Sequence, residues 1–279
     1  MTAVAGSRLA DLHEVLRRTG PVVVAFSGGA DSAFLAKVAH DLLGAEGVLC
    51  VTALSPSLAG DEEADCRALA AEWGLRWAGV PTAELDDPRY VANGADRCAW
   101  CKTALMDVLE PLAAERSATV VLGVNTDDLG DHRPGQAAAA ARGARFPLVE
   151  AGFTKADVRH WSRRLGLRTW DKPAAACLAS RLPYGTPVTV GSLRSVAIAE
   201  AALRAIGFGQ LRVRHHGAVA RLELPEEALG EALVRRDEVV AAVRAAGYEF
   251  VTLDLEGFRS GSLNRLLAGS SGETAPVTA

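Results

Sequence analysis

The sequence predicts a doubly wound α/β domain around a parallel sheet, followed by a smaller α+β domain. Three observations lead there. Apolar runs of strand length alternate with amphipathic helical patterns through the first half. That order produces right-handed βαβ crossovers, with helices on both faces of the sheet. The first run, 21–26, ends directly in Ser27-Gly28-Gly29-Ala30-Asp31-Ser32, a strand-to-helix turn with two glycines. From about residue 192 the pattern changes to short alternating strands and helices, with a hairpin signal at Gly217.

Residues 22–26 read as the first strand, and 32–43 as a helix with Ala33, Leu35, Ala36, Val38 and Ala39 as its apolar surface. A strand follows over 48–54, a helix over 60–73, a strand over 76–80, a helix over 101–116 and a very apolar strand over 119–124. The polar stretch from 130 runs into alanines 137–141, compatible with a short helix or a loop. A helix over 155–165 takes Thr154 as its N-cap. Residues 172–190 have no clear period, which marks a functional loop rather than a passive connection. Beyond them lie a helix over 196–206, strands over 210–216 and 220–224, one helix over 225–246 and a strand over 248–255. The expected domains are 1–184 and 185–269, and the polar end, 270–279, reads as a disordered tail.

With 49% hydrophobic and 23% charged residues, the composition is that of an ordinary globular protein. No apolar stretch reaches membrane-spanning length, and residues 1–7 lack the basic start and apolar core of a leader. A cytoplasmic protein without a membrane partner is expected. A net charge of −4 argues against a chain that wraps nucleic acid. Five cysteines in that setting point to reduced thiols rather than a disulfide scaffold. Cys50 falls in a strand and Cys66 on a helical pattern, and both read as core residues.

Ligands of parallel sheets bind outside the carboxyl ends of the strands, where the Ser27–Ser32 turn and the loop Gly123-Val124-Asn125-Thr126-Asp127-Asp128 fall. Gly28 and Gly29 let backbone N–H groups approach an anion, the helix adds its positive end, and Ser27 and Ser32 add hydroxyls. The Gly-Lys-Ser/Thr ending of a Walker A loop is missing, which disfavours γ-phosphate transfer. Asp31 is either a Mg²⁺ ligand or a helix cap. Asp127, Asp128 and Asp131 are candidates for metal or adenosine contacts, against the plainer reading of solvated acids. Arg133 is a candidate for phosphate or for the loop around Cys177. Arg212 and Arg214 alternate on a strand and share a face, an arrangement that suits a phosphate or carboxylate. Surface salt bridges to Glu223 or Glu226 are the plainer alternative.

Cys177 is flanked in sequence by Lys172 and Arg181, cations that would favour a thiolate. In Arg97-Cys98-Ala99-Trp100-Cys101-Lys102, two cysteines three apart at a helix start bring both sulfurs to one face. Four readings are open: a structural zinc, for which Cys98, Cys101 and Cys177 are one ligand short; a redox dithiol; a pair without chemistry; and an iron–sulfur cluster on three thiolates with one iron left open.

SGGADS resembles the loop of the ATP pyrophosphatases, which cleave ATP between the α and β phosphates. Taken with DKPAAACLASRLPYGTP, GDHRPG, RVRHH and GFRSG, it resembles the LarE family of ATP-dependent sulfur transferases, from about residue 21 to 267. The resemblance implies a PP-loop, adenine nucleotide α-hydrolase-like fold that uses ATP and Mg²⁺. It implies adenylation of a carboxylate of pyridinium-3,5-biscarboxylic acid mononucleotide, a small nucleotide, with release of pyrophosphate and AMP. Conversion of that carboxylate to a thiocarboxylate would serve nickel-pincer nucleotide synthesis. Arg212 and Arg214 are implied to bind the substrate phosphate, with Glu200 and Arg259 nearby. In members with one essential cysteine, the residue at the position of Cys177 is implied to give up its sulfur and become dehydroalanine. The set Cys98, Cys101 and Cys177 resembles that of members, and of tRNA-thiolating relatives, in which a [4Fe-4S] cluster carries an extra sulfide. A homohexamer is also implied, and the sulfur donor is left unidentified. The alternatives are a tRNA-thiolating enzyme, a LarE-like transferase in another thio-metabolite pathway, a nitrogen-transferring ligase with no need of Cys177, and a non-catalytic nucleotide-binding module.

Overall fold

The β-branched run at Val22 explains the centre of the parallel sheet. In β1 (Val22–Ala25), Val22 and Val24 enter one hydrophobic cluster while Val23 enters another, as the two-residue period of a strand requires. The computed structural model describes residues 2–130, 134–173 and 176–259. β1 pairs in parallel with β2 (Val48–Leu54) and β4 (Thr119–Leu122), and β2 with β3 (Trp77–Pro81), giving the order β3-β2-β1-β4. On one face lie α1 (Thr2–Thr19), α2 (Ala30–Gly47), α3 (Gly60–Trp73) and α8 (Lys155–Arg164), through Leu12, Phe34, Leu69 and Val158. On the other lie α5 (Arg97–Glu115) and α6 (Pro134–Ala141), through Met106, Leu109 and Ala139. This is the doubly wound α/β arrangement that the alternating pattern predicts.

The chain divides into two units, the sheet unit (Met1–Asp87 and Cys98–Ala176) and a second one (Pro88–Arg97 and Cys177–Ala279). In the second, α9 (Val190–Ala205) packs on a three-stranded sheet of order β5-β6-β7. β5 (Arg212–His216) and β6 (Val219–Glu223) form the expected antiparallel hairpin, turning at Gly217 with φ +63°. β7 (Phe250–Leu253) joins β6 in parallel. Leu203, Val213, Leu222 and Val243 belong to its core.

Several boundaries differ from the sequence reading. The expected single helix over 225–246 is two, α10 (Glu226–Val234) and α11 (Arg236–Arg244), broken at Arg235 with φ −97° and ψ 25°. Arg235 is anchored there: its guanidinium donates to the Ile206 carbonyl at 2.7 Å, stacks on Phe208 and pairs with Glu231 and Glu238. α9 starts at Val190 rather than 196, on a capping box between Thr189 and Ser192. α1 was not anticipated, although Leu12, Val15 and Leu16 have helical spacing and are buried. Among the described residues, no helix is long and apolar enough to cross a membrane. The tail 270–279 lies outside the described residues.

Candidate functional site

The turn between β1 and α2 has the geometry of an anion cradle. Gly28 has φ +66°, and a Cβ there would stand 2.9 Å from Cys66 Sγ on α3, so conformation and space both require glycine. Gly29 is the N-cap of α2, with no side-chain cap. The Ser32 hydroxyl holds the loop together. It accepts from the Ser27 N–H at 3.2 Å, lies 3.0 Å from Ser27 Oγ and donates to the Gly29 carbonyl at 3.2 Å. At the end of β4, Gly123 gives room to this turn, since a Cβ there would come within 2.7 Å of the Ser32 backbone.

Asp31 faces two partners that sequence reasoning did not single out. Lys155 Nζ lies 2.5 Å from Asp31 Oδ2, and Asn125 Nδ2 donates to Oδ1 at 3.2 Å. Lys155 is the first residue of α8, whose Thr154 N-cap forms a capping box with Asp157. Its backbone N–H donates to Asp127 Oδ2 at 2.9 Å, and Asp128 Oδ2 accepts the Asn125 N–H at 3.1 Å. The two acids thus shape the loop after β4 and the start of α8. The only sequence signal for Lys155 was its place beside an N-cap; its reach to Asp31 depends on the tertiary fold. The positive charge beside the Asp31 carboxylate is the Lys155 side-chain ammonium group. Asp131 and Arg133 lie outside the described residues.

Also in the sheet unit, Cys98 and Cys101 occupy the first turn of α5, which begins at Arg97 rather than at 101. Cys98 is exposed, Cys101 half-buried, and neither is in a disulfide. Gly135 of α6 presses on this turn: a Cβ there would stand 2.7 Å from the Cys98 carbonyl oxygen. This packing accounts for the glycine of the GDHRPG stretch. Lys172, near Cys177 in sequence, is engaged within the sheet unit. Its ammonium bonds Glu62 and Asp65 on α3, each at 2.7 Å. Burial alone would lower its pKa, but these two carboxylates overcome that and hold it above the usual lysine range.

In the second unit, exposed Cys177 is the N-cap of a short 3₁₀ turn, Leu178–Arg181. The loop that follows is held from within. Arg97 donates to the Ala179 carbonyl at 2.8 Å, and Asn93 Nδ2 to the carbonyls of Pro183 and Thr186 at 2.8 and 2.9 Å. Arg181 donates to the Cys177 carbonyl at 3.2 Å and is bound bidentately by Glu200, at 2.8 and 3.0 Å. Glu200, 1% exposed, also accepts from Arg204 and from the Val213 N–H. Arg214, 2% exposed, donates to the Ser180 carbonyl and pairs with Glu223, both at 2.7 Å. The Arg214–Glu223 pair, the plainer alternative of the sequence reading, is present but buried, and it braces the cysteine loop. The cation at Arg181 is likewise matched by Glu200.

Arg212 differs from these. It is 8% exposed, stacks on the Phe258 ring at 4.7 Å and donates to the Arg259 carbonyl at 3.5 Å. Burial, then the nearby Arg214 and Arg181 charges, lower its pKa. A buried guanidinium repelled by its neighbours is stabilised by an incoming anion. Arg259 is exposed and pairs with Glu256.

Cys98 and Cys101 thus belong to the sheet unit and Cys177 to the second, all three as free cysteines. Among the described residues, no group of three or more His, Cys, Asp or Glu side chains gathers as a metal site.

A parallel sheet ending in a Ser-Gly-Gly-x-Asp-Ser turn defines an enzyme of the PP-loop type, and a glutamine-dependent NAD⁺ synthetase of Rhodobacter capsulatus is similar in keeping with that class. It is 35% identical over 121 residues, 43% of this chain and 21% of its own. No protein-family model matches the chain. The uncharacterized protein slr1717 of Synechocystis sp. is 45% identical over 264 residues, 94% of this chain and 98% of its own. The pyridinium-3,5-bisthiocarboxylic acid mononucleotide synthase of Lactiplantibacillus plantarum is 39% identical over 266 residues, 95% of this chain and 96% of its own. The chain belongs to the family of that synthase, the LarE family.

Proposed function

We propose that this protein is an ATP-dependent sulfur transferase acting on pyridinium-3,5-biscarboxylic acid mononucleotide. The observation that carries the reading is the Ser27–Ser32 turn with its Asp31–Lys155 ion pair, in a chain 39% identical to the named synthase over nearly its whole length. Gly28, Gly29 and the Ser27 and Ser32 hydroxyls would cradle the phosphates of ATP. Asp31 would hold Mg²⁺, releasing Lys155 to the phosphate oxygens. A ring carboxylate oxygen attacks the α phosphorus, the α–β P–O bond breaks, and pyrophosphate leaves with the bonding pair. A sulfur nucleophile then attacks the acyl carbon of the adenylate, and AMP departs, leaving a thiocarboxylate.

Arg212 would take the substrate phosphate, and Arg214, Arg181 and Glu200 would position the Cys177 loop. If Cys177 itself is the nucleophile, a thioester forms; loss of its α proton then breaks the Cβ–S bond and leaves dehydroalanine. A [4Fe-4S] cluster bound by Cys98, Cys101 and Cys177 would instead supply a sulfide at its open iron and spare the polypeptide. The presence of Cys98 and Cys101 in addition to Cys177 is what favours this second route. The test is pyrophosphate release from ATP with the dicarboxylate nucleotide present. Release is expected in wild type and in Cys177→Ser, with thiocarboxylate formed only by wild type. Thiocarboxylate formation by Cys177→Ser would overturn the sulfur assignment, and a lack of pyrophosphate in both would overturn the adenylation.

A further inference from the structure

The phosphate loop does not account for a hollow of about 270 Å³ at the carboxyl end of β3, small for a ligand pocket. It lies in the sheet unit two strands from β1, roughly 10 Å along the sheet from the phosphate loop. At its lining stands Glu84, 2% exposed. One carboxylate oxygen, Oε1, accepts from the Ser55 hydroxyl, but the other, Oε2, is buried without a hydrogen-bond partner. The Thr82 hydroxyl, another lining group, is buried without one as well. Leaving such groups unmatched is costly, and more so for a carboxylate.

The rest of the lining has one sign. Asp87 and Asp107 join Glu84, and no lysine, arginine or histidine lines the hollow. Asp107 is matched by Arg142 at 2.5 Å, whereas the hydrogen bond that Glu84 accepts comes from a neutral hydroxyl. The wall is apolar and aromatic, with Val108 and the Trp100 indole. Trp100 stands between Cys98 and Cys101 on the first turn of α5.

We propose that this hollow is a second binding site, for a small primary amine in its ammonium form. A turn of the Glu84 side chain would bring Oε2, buried as it stands, to accept from the ammonium beside Thr82, while the alkyl or aryl body packs on Trp100 and Val108. A carboxylate and an aromatic face together select a cation with N–H donors. An anion would meet the Glu84 carboxylate, whose hydrogen bond from Ser55 is neutral. The site is independent of the ATP chemistry proposed above, but its occupant would touch the residue flanked by the cysteine pair.

The test titrates n-butylammonium into the full chain, with n-butanol as the neutral isostere, following the Trp100 indole N–H signal assigned by its loss in Trp100→Phe. A saturable shift is expected with butylammonium. Binding is expected to weaken roughly tenfold or more for butanol, and likewise for butylammonium with Glu84→Gln. Asp107→Asn, at the hollow but already paired, should weaken it far less. The proposal is overturned by no saturable shift, by equal binding of butanol and butylammonium, or by undiminished binding to Glu84→Gln. An equal loss in Asp107→Asn would also overturn it, because general surface charge would then explain the effect. Should Glu84→Gln fail to fold, the wild-type comparison of the two isosteres decides the matter.

Discussion

Gly28 carries two requirements that can be separated. Its φ of +66° disfavours any side chain, and a Cβ would also meet Cys66 Sγ. Gly28→Ala should therefore destabilise by about 1–2 kcal/mol through the left-handed conformation, before any clash is counted. Adding Cys66→Ala should recover only the clash, as urea unfolding of the single and double variants would show. Lys155 makes a different prediction. With its ammonium on Asp31, Lys155→Met should raise the KM for ATP by roughly tenfold, the scale of one lost charged hydrogen bond. It should leave the affinity for the second substrate unchanged, which steady-state kinetics with each substrate varied would establish. The glycines and serines of the loop were legible in the sequence because their chemistry is local. Lys155 and Asn125 were not, because they reach Asp31 across 124 and 94 residues.

At the scale of elements, the stretch from Cys177 to Thr186 has little regular structure and depends on buried ion pairs for its shape. Glu200 binds Arg181 bidentately and also takes Arg204 and the Val213 N–H. Glu200→Gln leaves buried guanidinium charge uncompensated, and a loss of about 3–5 kcal/mol is expected in equilibrium unfolding. Sulfur transfer should fall more than pyrophosphate release, since the loop carries Cys177 and not the phosphate turn. Periodicity located β1, β2 and β4 well, because a buried parallel strand is a continuous apolar run, while β3, half-buried with a single β-branched residue, was found from its place between two helices. It missed the break at Arg235, because nothing in the local pattern shows that this arginine docks on Phe208 and the Ile206 carbonyl. It read α9 as too short because Thr189 and Ser192 cap a turn that precedes the apolar stripe. The alternation of Arg212 and Arg214 was legible; their division of labour, one paired with Glu223 and one buried beside like charges, was set by the packing.

For the whole molecule, ion pairs set the response to acid. Burial alone would raise the Asp65 carboxyl, but its bonds to Lys172 and Arg168 overcome that and hold it below the usual carboxylate range. Asp157 is held low in the same way: burial is overcome by the Thr154 side chain and N–H, then by Arg8. A carboxyl whose pKa falls on folding contributes stability that is complete above its unfolded value. That contribution is lost as the pH drops through the folded value. Urea midpoints should therefore hold steady down to about pH 5 and fall below pH 4, less steeply in Asp65→Asn. The central claim is that ATP cleavage drives sulfur into a carboxylate, and mass spectrometry of an anaerobic reaction tests it most directly. Protein reconstituted with iron and sulfide is given ATP, Mg²⁺ and the dicarboxylate nucleotide, and product and polypeptide are weighed together. We expect a product with one oxygen replaced by sulfur, matched by AMP and pyrophosphate, several products per chain and an unaltered Cys177. A product without sulfur, or sulfur gained with no AMP or pyrophosphate formed, would contradict the account.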